Sequence, residues 1–321
     1  MITSKIIQHP GINWTQSNKT DRTWEALCVT PTGRIIAGSY SSGIWYSDDN
    51  GVSWTQSNKA DKAWYSLCVT PTGRIIAGGN GGIWYSDDNG INWTQSIYYT
   101  CSDLYIISTE RIIAAITSDS GIWYSDDNGV HWTQSNKTDR SWFVLCVTST
   151  GRIIAGGYNR GIWYSDDNGI NWTQSNKTDK TWEALCVTST GRIIAGSDSG
   201  IWYSDDNGIN WTQSNKTDGN WHTLCITPTG RIIAGSDSDS GIWYSDDNGI
   251  NWTQSNKADA SWKSLCITST GRIIAGSSDI GIWYSDAEVQ INYSSKPLTG
   301  AQARQLVAEC KEYVQGLKNS L

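Results

Sequence analysis

Short apolar runs and polar gaps alternate along the chain with a period of 39–41 residues. Each period holds four runs; in the second unit they fall at 64–70, 74–78, 82–86 and 91–96. Val, Ile, Thr, Trp and Tyr fill the runs, and Gly, Asn, Asp and Pro fill the gaps, the division expected between strands and turns. The hexapeptide Gly-Ile-Trp-Tyr-Ser-Asp marks the third run seven times, at successive spacings of 39, 39, 40, 39, 41 and 40 residues. Four short strands per unit, seven times over, predict an all-β seven-bladed propeller of four-stranded blades. A solenoid of the same units would need capping repeats with a polar outer face, and neither end has that character.

The two ends are complementary. The chain enters at a fourth strand (12–17) and leaves its last unit after the third. Residues 12–17 are therefore expected to complete the blade begun at Trp262, closing the ring and hiding its sheet edge. The propeller is expected to occupy 1–293, followed by a linker and tail at 294–321. There Pro297, the capping pair Thr299 and Gln302, and the stripe Leu306, Cys310, Tyr313, Leu317 predict an amphipathic C-terminal helix. That helix is expected to dock on the ring or on another chain.

Composition explains the pattern as copying. There are 20 Trp and 15 Tyr but one Phe and one Met, and every Trp occupies one of three repeat positions. The formal net charge is −7 with no basic block, which makes nucleic acid and anionic membranes poor partners on electrostatic grounds, so neither is expected. No apolar run approaches the ~18 residues of a membrane span, and the N-terminus is too polar for a secretory signal. Six of the eight Cys (Cys28, Cys68, Cys146, Cys186, Cys225, Cys266) share one repeat position. Blade symmetry would hold them apart, beyond the ~7 Å reach of a disulfide. They are expected to be free, buried thiols, which points to assembly in a reducing, cytoplasmic compartment. Later release or association with a virion is compatible with that.

Between the third and fourth strands stands Ser-x-Asp-x-Gly-x-x-Trp, as in Ser47, Asp49, Gly51 and Trp54. The carboxylate can accept N–H groups of its own turn, Gly supplies a positive φ, and Trp covers the loop. Intact copies centre on Asp49, Asp88, Asp127, Asp167, Asp206 and Asp247; in the last unit Ala287 and Val289 replace Asp and Gly. The motif resembles the Asp-box, or bacterial neuraminidase repeat, of sialidase-like propellers. That family includes sialidases, xyloglucanases, sortilin-type receptors, photosystem assembly factors and lectins, so the resemblance implies a fold and leaves activity open. Sialidases rely on an Arg triad and a Tyr–Glu pair unique to particular blades. Here the Arg-Ile-Ile element recurs in every blade, from Arg34 to Arg272, as a structural residue does, and is expected to pair with Asp-box carboxylates. No asymmetric acid–base constellation stands out, so the expectation is lectin-like, not catalytic. No cofactor and no metal is expected: the Asp-Asp-Asn-Gly loops lack the further Glu of a calcium loop, and His9, His131 and His222 hold unrelated positions.

The copies differ in two places, one flanking the third Trp and the other linking strands two and three. In an up-and-down blade both emerge on the same face, and variation on one face of a rigid scaffold is how binding surfaces are built; relaxed loop drift is the alternative. The candidate ligand-binding set is Trp24, Trp64, Trp142, Trp182, Trp221 and Trp262, their variable neighbours Glu25, Tyr65, Phe143, Glu183, His222 and Lys263, and the link residues Tyr40 and Tyr158. Exposed Trp beside amides and carboxylates suits a sugar, so the leading expectation is multivalent glycan or glycoconjugate binding through repeated sites. A protein-interaction or structural component of a virion or cell-surface assembly, with self-association through the C-terminal helix, is the second reading, and a sialidase-like glycosidase the third. The opposite face is expected to be a uniform acidic ring. The third unit breaks the symmetry: it lacks the Asn-Lys-Thr-Asp loop, and Cys101 stands where other units have Trp.

Overall fold

Each second strand opens on two adjacent isoleucines, and both are fully buried, as for Ile35 and Ile36. A strand with one wet face could not bury both. The computed structural model supplies the reason: seven four-stranded antiparallel sheets stand around a closed ring, and each sheet is covered on both faces by its neighbours. Ile35 packs into the wedge shared with the last blade, beside Ile274 and Ile282, while Ile36 packs into the wedge shared with the second, beside Trp64 and Ile75. The core is thus seven inter-blade wedges, and the near-continuous apolar run is the signature of a sheet buried on both sides.

The structure describes residues 7–8, 14–20, 23–108, 111–117, 121–139, 141–237, 241–286 and 289–290. Residues 9–288 form one unit, the ring; residues 1–8 and 289–321 form another, whose described part is an antiparallel pairing of Ile7–Gln8 with Val289–Gln290. The expected C-terminal helix lies outside the described residues.

Inner strands run Trp24–Val29, Trp64–Val69, Cys101–Ile106, Trp142–Val147, Trp182–Val187, Trp221–Ile226 and Trp262–Ile267. Each packs against the next, and the last packs against the first. Closure follows the expected route. Trp14–Gln16 forms the outer strand of the seventh blade, with Trp14 opposite Ser285 and Gln16 opposite Trp283. Trp14 also stacks on Trp262 at 6.2 Å between centroids.

The Asp-box turns are built as the motif implies. Asp49 Oδ1 accepts the Ser47 hydroxyl and the Ser53 N–H, each at 2.8 Å, and Trp54 Nε1 donates to the Gly51 carbonyl. Asn50 and Gly51 both hold positive φ, at 63° and 87°, a conformation that favours these two residue types. Burial raises the pKa of the matching Asp127, but hydrogen bonds from the His131 backbone and ring and from Ser125 outweigh it and hold the carboxyl at about 2.

The repeated arginines do pair with acids, though with the Asp directly before the motif's own Asp. Arg34 donates Nε and Nη2 to the two oxygens of Asp48 at 2.7 and 2.8 Å, and Nη1 to the Asn89 carbonyl of the next blade at 3.0 Å. Arg74, Arg111, Arg152 and Arg192 repeat this clamp. On the face expected to be a uniform acidic ring, one Asp of each pair is thus neutralised by Arg, while the other stays ionised and is hydrogen-bonded by its own turn.

The six tryptophans expected to stack on ligand are core residues instead. Trp24, Trp64, Trp142, Trp182, Trp221 and Trp262 are all fully buried. Five of the indoles donate to an Asp carbonyl three residues upstream, as Trp182 Nε1 does to Asp179 at 2.9 Å. The ring sits against the neighbouring blade: a Cβ added at Gly38 would lie 2.9 Å from Trp64 Cβ. A flat indole wedged between sheets fills volume and offers no free face to a sugar.

Candidate functional site

Every inner strand carries a β-bulge directly after its first residue. Trp24 lies opposite Ser39 and Ala26 opposite Gly38, so Glu25 is the extra residue, and the other six blades repeat the irregularity. A bulge re-aims the side chain it carries. Here it releases one residue per blade from the inter-blade packing and turns it to the channel: Glu25, Tyr65, Ser102, Phe143, Glu183, His222 and Lys263. Together with Thr117 these seven line a cavity of about 400 Å³. A second cavity shares these seven residues and extends along the inner strands past Leu27, Leu67, Asp103 and Leu185.

The two variable segments meet at this mouth. In each blade the link between strands two and three donates an N–H to the carbonyl just before the inner strand, at 2.9–3.2 Å, as Tyr40 does to Thr23 and Tyr158 to Ser141. The link side chains therefore stand over the bulged ones. Tyr40 lies 6.2 Å from Tyr65 and Tyr158 lies 6.3 Å from Phe143, ring to ring. Six predicted residues (Glu25, Tyr65, Phe143, Glu183, His222, Lys263) are thus gathered into one cup rather than spread over repeated sites, with Tyr40 and Tyr158 half-exposed at its rim. Ser102 and Thr117 were not foreseen. Aligning Cys101 with the repeat Trp puts Ser102 at the variable position, the signal that identifies it.

Around the ring the cup is divided. Blades two to four contribute Tyr65, Ser102 and Phe143; blades five, six, seven and one contribute Glu183, His222, Lys263 and Glu25. Lys263 Nζ is paired with Asp237 of the sixth blade's link at 2.5 Å. His222 Nε2 stands 3.9 Å from Glu183 Oε2, beyond hydrogen-bond reach. Two buried polar atoms, Glu183 Oε2 and His222 Nδ1, have no hydrogen-bond partner. Burial, then repulsion from Asp237 and Asp198, lifts Glu183 to about 7 against the partial offset of Lys263. Burial, with Lys263 beside it, lowers His222 to about 4, so the imidazole is neutral at pH 7. Burial also raises Glu25, which Lys263 counteracts and Asp237 reinforces. Among the described residues, no group of three or more His, Cys, Asp or Glu side chains is placed to hold a metal ion.

The third blade supplies a further buried carboxylate next to the cup. Asp103 accepts the Ser66 hydroxyl of the second blade at 2.9 Å, the Leu145 N–H of the fourth at 2.7 Å and its own blade's Leu104 N–H at 2.9 Å. Tyr99 lies 5.3 Å from Trp123, ring to ring. It takes the place of the lysines that lie 3.3–4.0 Å over the matching Trp in the other blades.

Comparison with known proteins agrees with this architecture. The BNR/Asp-box repeat model matches residues 84–95, 163–174, 202–213 and 243–254. No curated protein sequence matches the chain significantly. Among solved structures, streptogramin B lyase superposes with a TM-score of 0.71 at 12% identity, covering 86% of this chain and 97% of that one. YCF48 from Cyanidioschyzon merolae gives 0.69 at 12% identity, covering 84% and 98%. The extracellular domain of the one-component system BT4673 from B. thetaiotaomicron gives 0.69 at 14% identity, covering 86% of this chain, which spans 40% of that protein's length. At these identities the likeness is one of fold alone. The chain thus carries BNR/Asp-box repeats on a seven-bladed β-propeller.

Proposed function

We propose that the protein is a non-enzymatic binding module that recognises a carbohydrate in the cup at the channel mouth. The observation that carries this reading is the convergence of seven bulged side chains, one per blade and of six different types, on a single cavity of about 400 Å³. Of the two segments in which the copies differ, the position beside the third Trp is the one aimed into this cavity and the other stands at its rim. A cavity of that size matches a small-ligand site. Its two halves match a sugar: Tyr65 and Phe143 offer ring faces to C–H groups, while Glu25, Glu183, His222 and Ser102 offer hydroxyl partners. A glycan array probed with the intact chain and with Tyr65→Ala tests it. Binding of a defined saccharide class that is lost in the variant supports the reading; no binding to any saccharide overturns it.

A catalytic reading has one observation in its favour, the carboxyl of Glu183 at about 7 beside a neutral His222, since groups poised in this way serve acid–base chemistry. The fold also accommodates enzymes, as the streptogramin B lyase likeness illustrates. Against it, the two groups are not hydrogen-bonded to one another. Turnover of fluorogenic glycosides, abolished by Glu183→Gln, would establish the catalytic alternative.

A further inference from the structure

We infer that the cup selects a ligand bearing a positive charge, which among saccharides means an amino sugar with a free ammonium group. For the ligand class this rests on the carbohydrate reading above; for the charge it rests on the cup alone.

Two carboxylates, Glu25 and Glu183, face one cavity, with Asp237 and Asp198 close enough behind them to add repulsion. Among the described residues that line the cup, Lys263 is the one full cation, and its ammonium is held by Asp237 at 2.5 Å. His222 contributes no charge at neutral pH, because burial and Lys263 both disfavour its protonation. The Glu183 carboxyl draws on the Asn220 side chain, yet its Oε2 atom is buried without any donor. Carboxylates held out of water and short of positive charge are costly, and an ammonium group entering the cavity they line supplies the missing charge. Tyr65, across the cup, adds a ring face to which a cation is attracted. The raised pKa of both Glu side chains has the same origin: carboxylates stripped of water and short of positive charge.

Calorimetric titration of the intact chain tests the charge and the sugar separately. Four probes are used at pH 7.5 and low salt: chitotetraose freed of its acetyl groups, its N-acetylated form, cellotetraose, and butylammonium. The expected result is affinity for the free-amine oligosaccharide at least about tenfold above both neutral ones, a preference removed by Glu183→Gln and by Glu25→Gln. Lys263→Gln, which removes the cup's own cation, is expected to strengthen amine binding, an effect that a merely structural role would not produce. Affinity for butylammonium should also rise from pH 6 to pH 8 as Glu183 gives up its proton. Equal binding of the three oligosaccharides overturns the charge selectivity and leaves the carbohydrate reading standing. Binding of butylammonium alone supports the charge selectivity and overturns the carbohydrate reading, and binding of none of the four overturns both.

Discussion

Asp103 Oδ2 accepts the backbone N–H of Leu145 at 2.7 Å, across the boundary between the third and fourth blades. Its other oxygen accepts the hydroxyl of Ser66 in the second blade. One carboxylate thus ties three consecutive blades together at the unit where the repeat departs most from its pattern. Burial is the largest influence on it and pushes its pKa to about 6, against the three hydrogen bonds that favour the charged form.

The sign of the resulting pH dependence follows from that direction. An unfolded Asp loses its proton near pH ~3.9, whereas the folded one keeps it to about 6. Between those values the folded chain binds more protons, so the contribution of Asp103 is fully present below pH ~4 and declines as pH rises through 6. Two pKa units correspond to ~3 kcal/mol at most. Chemical denaturation of wild type and Asp103→Asn across pH 4–7 should show the wild type losing its advantage on that order as pH rises. A constant difference across the range would refute the assignment.

The Asp-box carboxylates behave in the opposite sense. Asp127 is held at about 2, below an unfolded Asp, so its contribution is present at neutral pH and is lost as pH falls from ~4 towards 2. Asp127→Ala leaves the Val130 and His131 N–H groups without their acceptor. The expected cost is ~1–3 kcal/mol, with the cup unaffected because the box lies at the far end of its blade. Loss of ligand binding at unchanged stability would contradict a structural role.

Ring closure depends on three residues. Trp14–Gln16 is the only strand of the seventh blade drawn from the other end of the chain, and without it Ile282–Ser285 becomes an open edge. Deleting residues 1–17 removes that ladder and the Trp14–Trp262 stack, at a cost on the order of 3 kcal/mol. The truncated chain should melt earlier and pair through the bared edge, read by calorimetry and light scattering. An unchanged melting temperature together with a monomeric mass would argue against this closure.

Most of the ring was legible because each unit repeats the same instruction. Strand order, blade number, the turn chemistry of Asp49 and its counterparts, and the offset ends that meet at Trp14 all follow from period and spacing. The role of Trp182 did not, because constancy among copies is equally compatible with a core wedge and with a repeated binding platform; burial between blades decides it, and burial is a tertiary fact. The cup was half legible. Variation singled out Glu25, Tyr65, Phe143, Glu183, His222 and Lys263, but the bulge that aims them inward is a matter of strand register, which the apolar pattern does not reveal. Asp103 was invisible because its partners Ser66 and Leu145 belong to the units before and after it.

The division between wedge and cup predicts two substitutions with opposite signatures. Trp182 fills the wedge between the fourth and fifth blades beside Val144, Ile154 and Trp211, so Trp182→Ala should cost ~3–5 kcal/mol. Since the indole does not reach the cavity, affinity should be kept by whatever fraction remains folded. Phe143, the bulged neighbour of Trp142, lines the cavity and is only partly buried. Phe143→Ala should leave stability within about 1 kcal/mol while reducing saccharide affinity at least about tenfold. Melting and binding measured on the same preparations separate the two effects. If Trp182→Ala abolished binding at wild-type stability and Phe143→Ala left it intact, the recognition surface would lie at the buried tryptophans after all, and the cup would be no more than the open end of a channel.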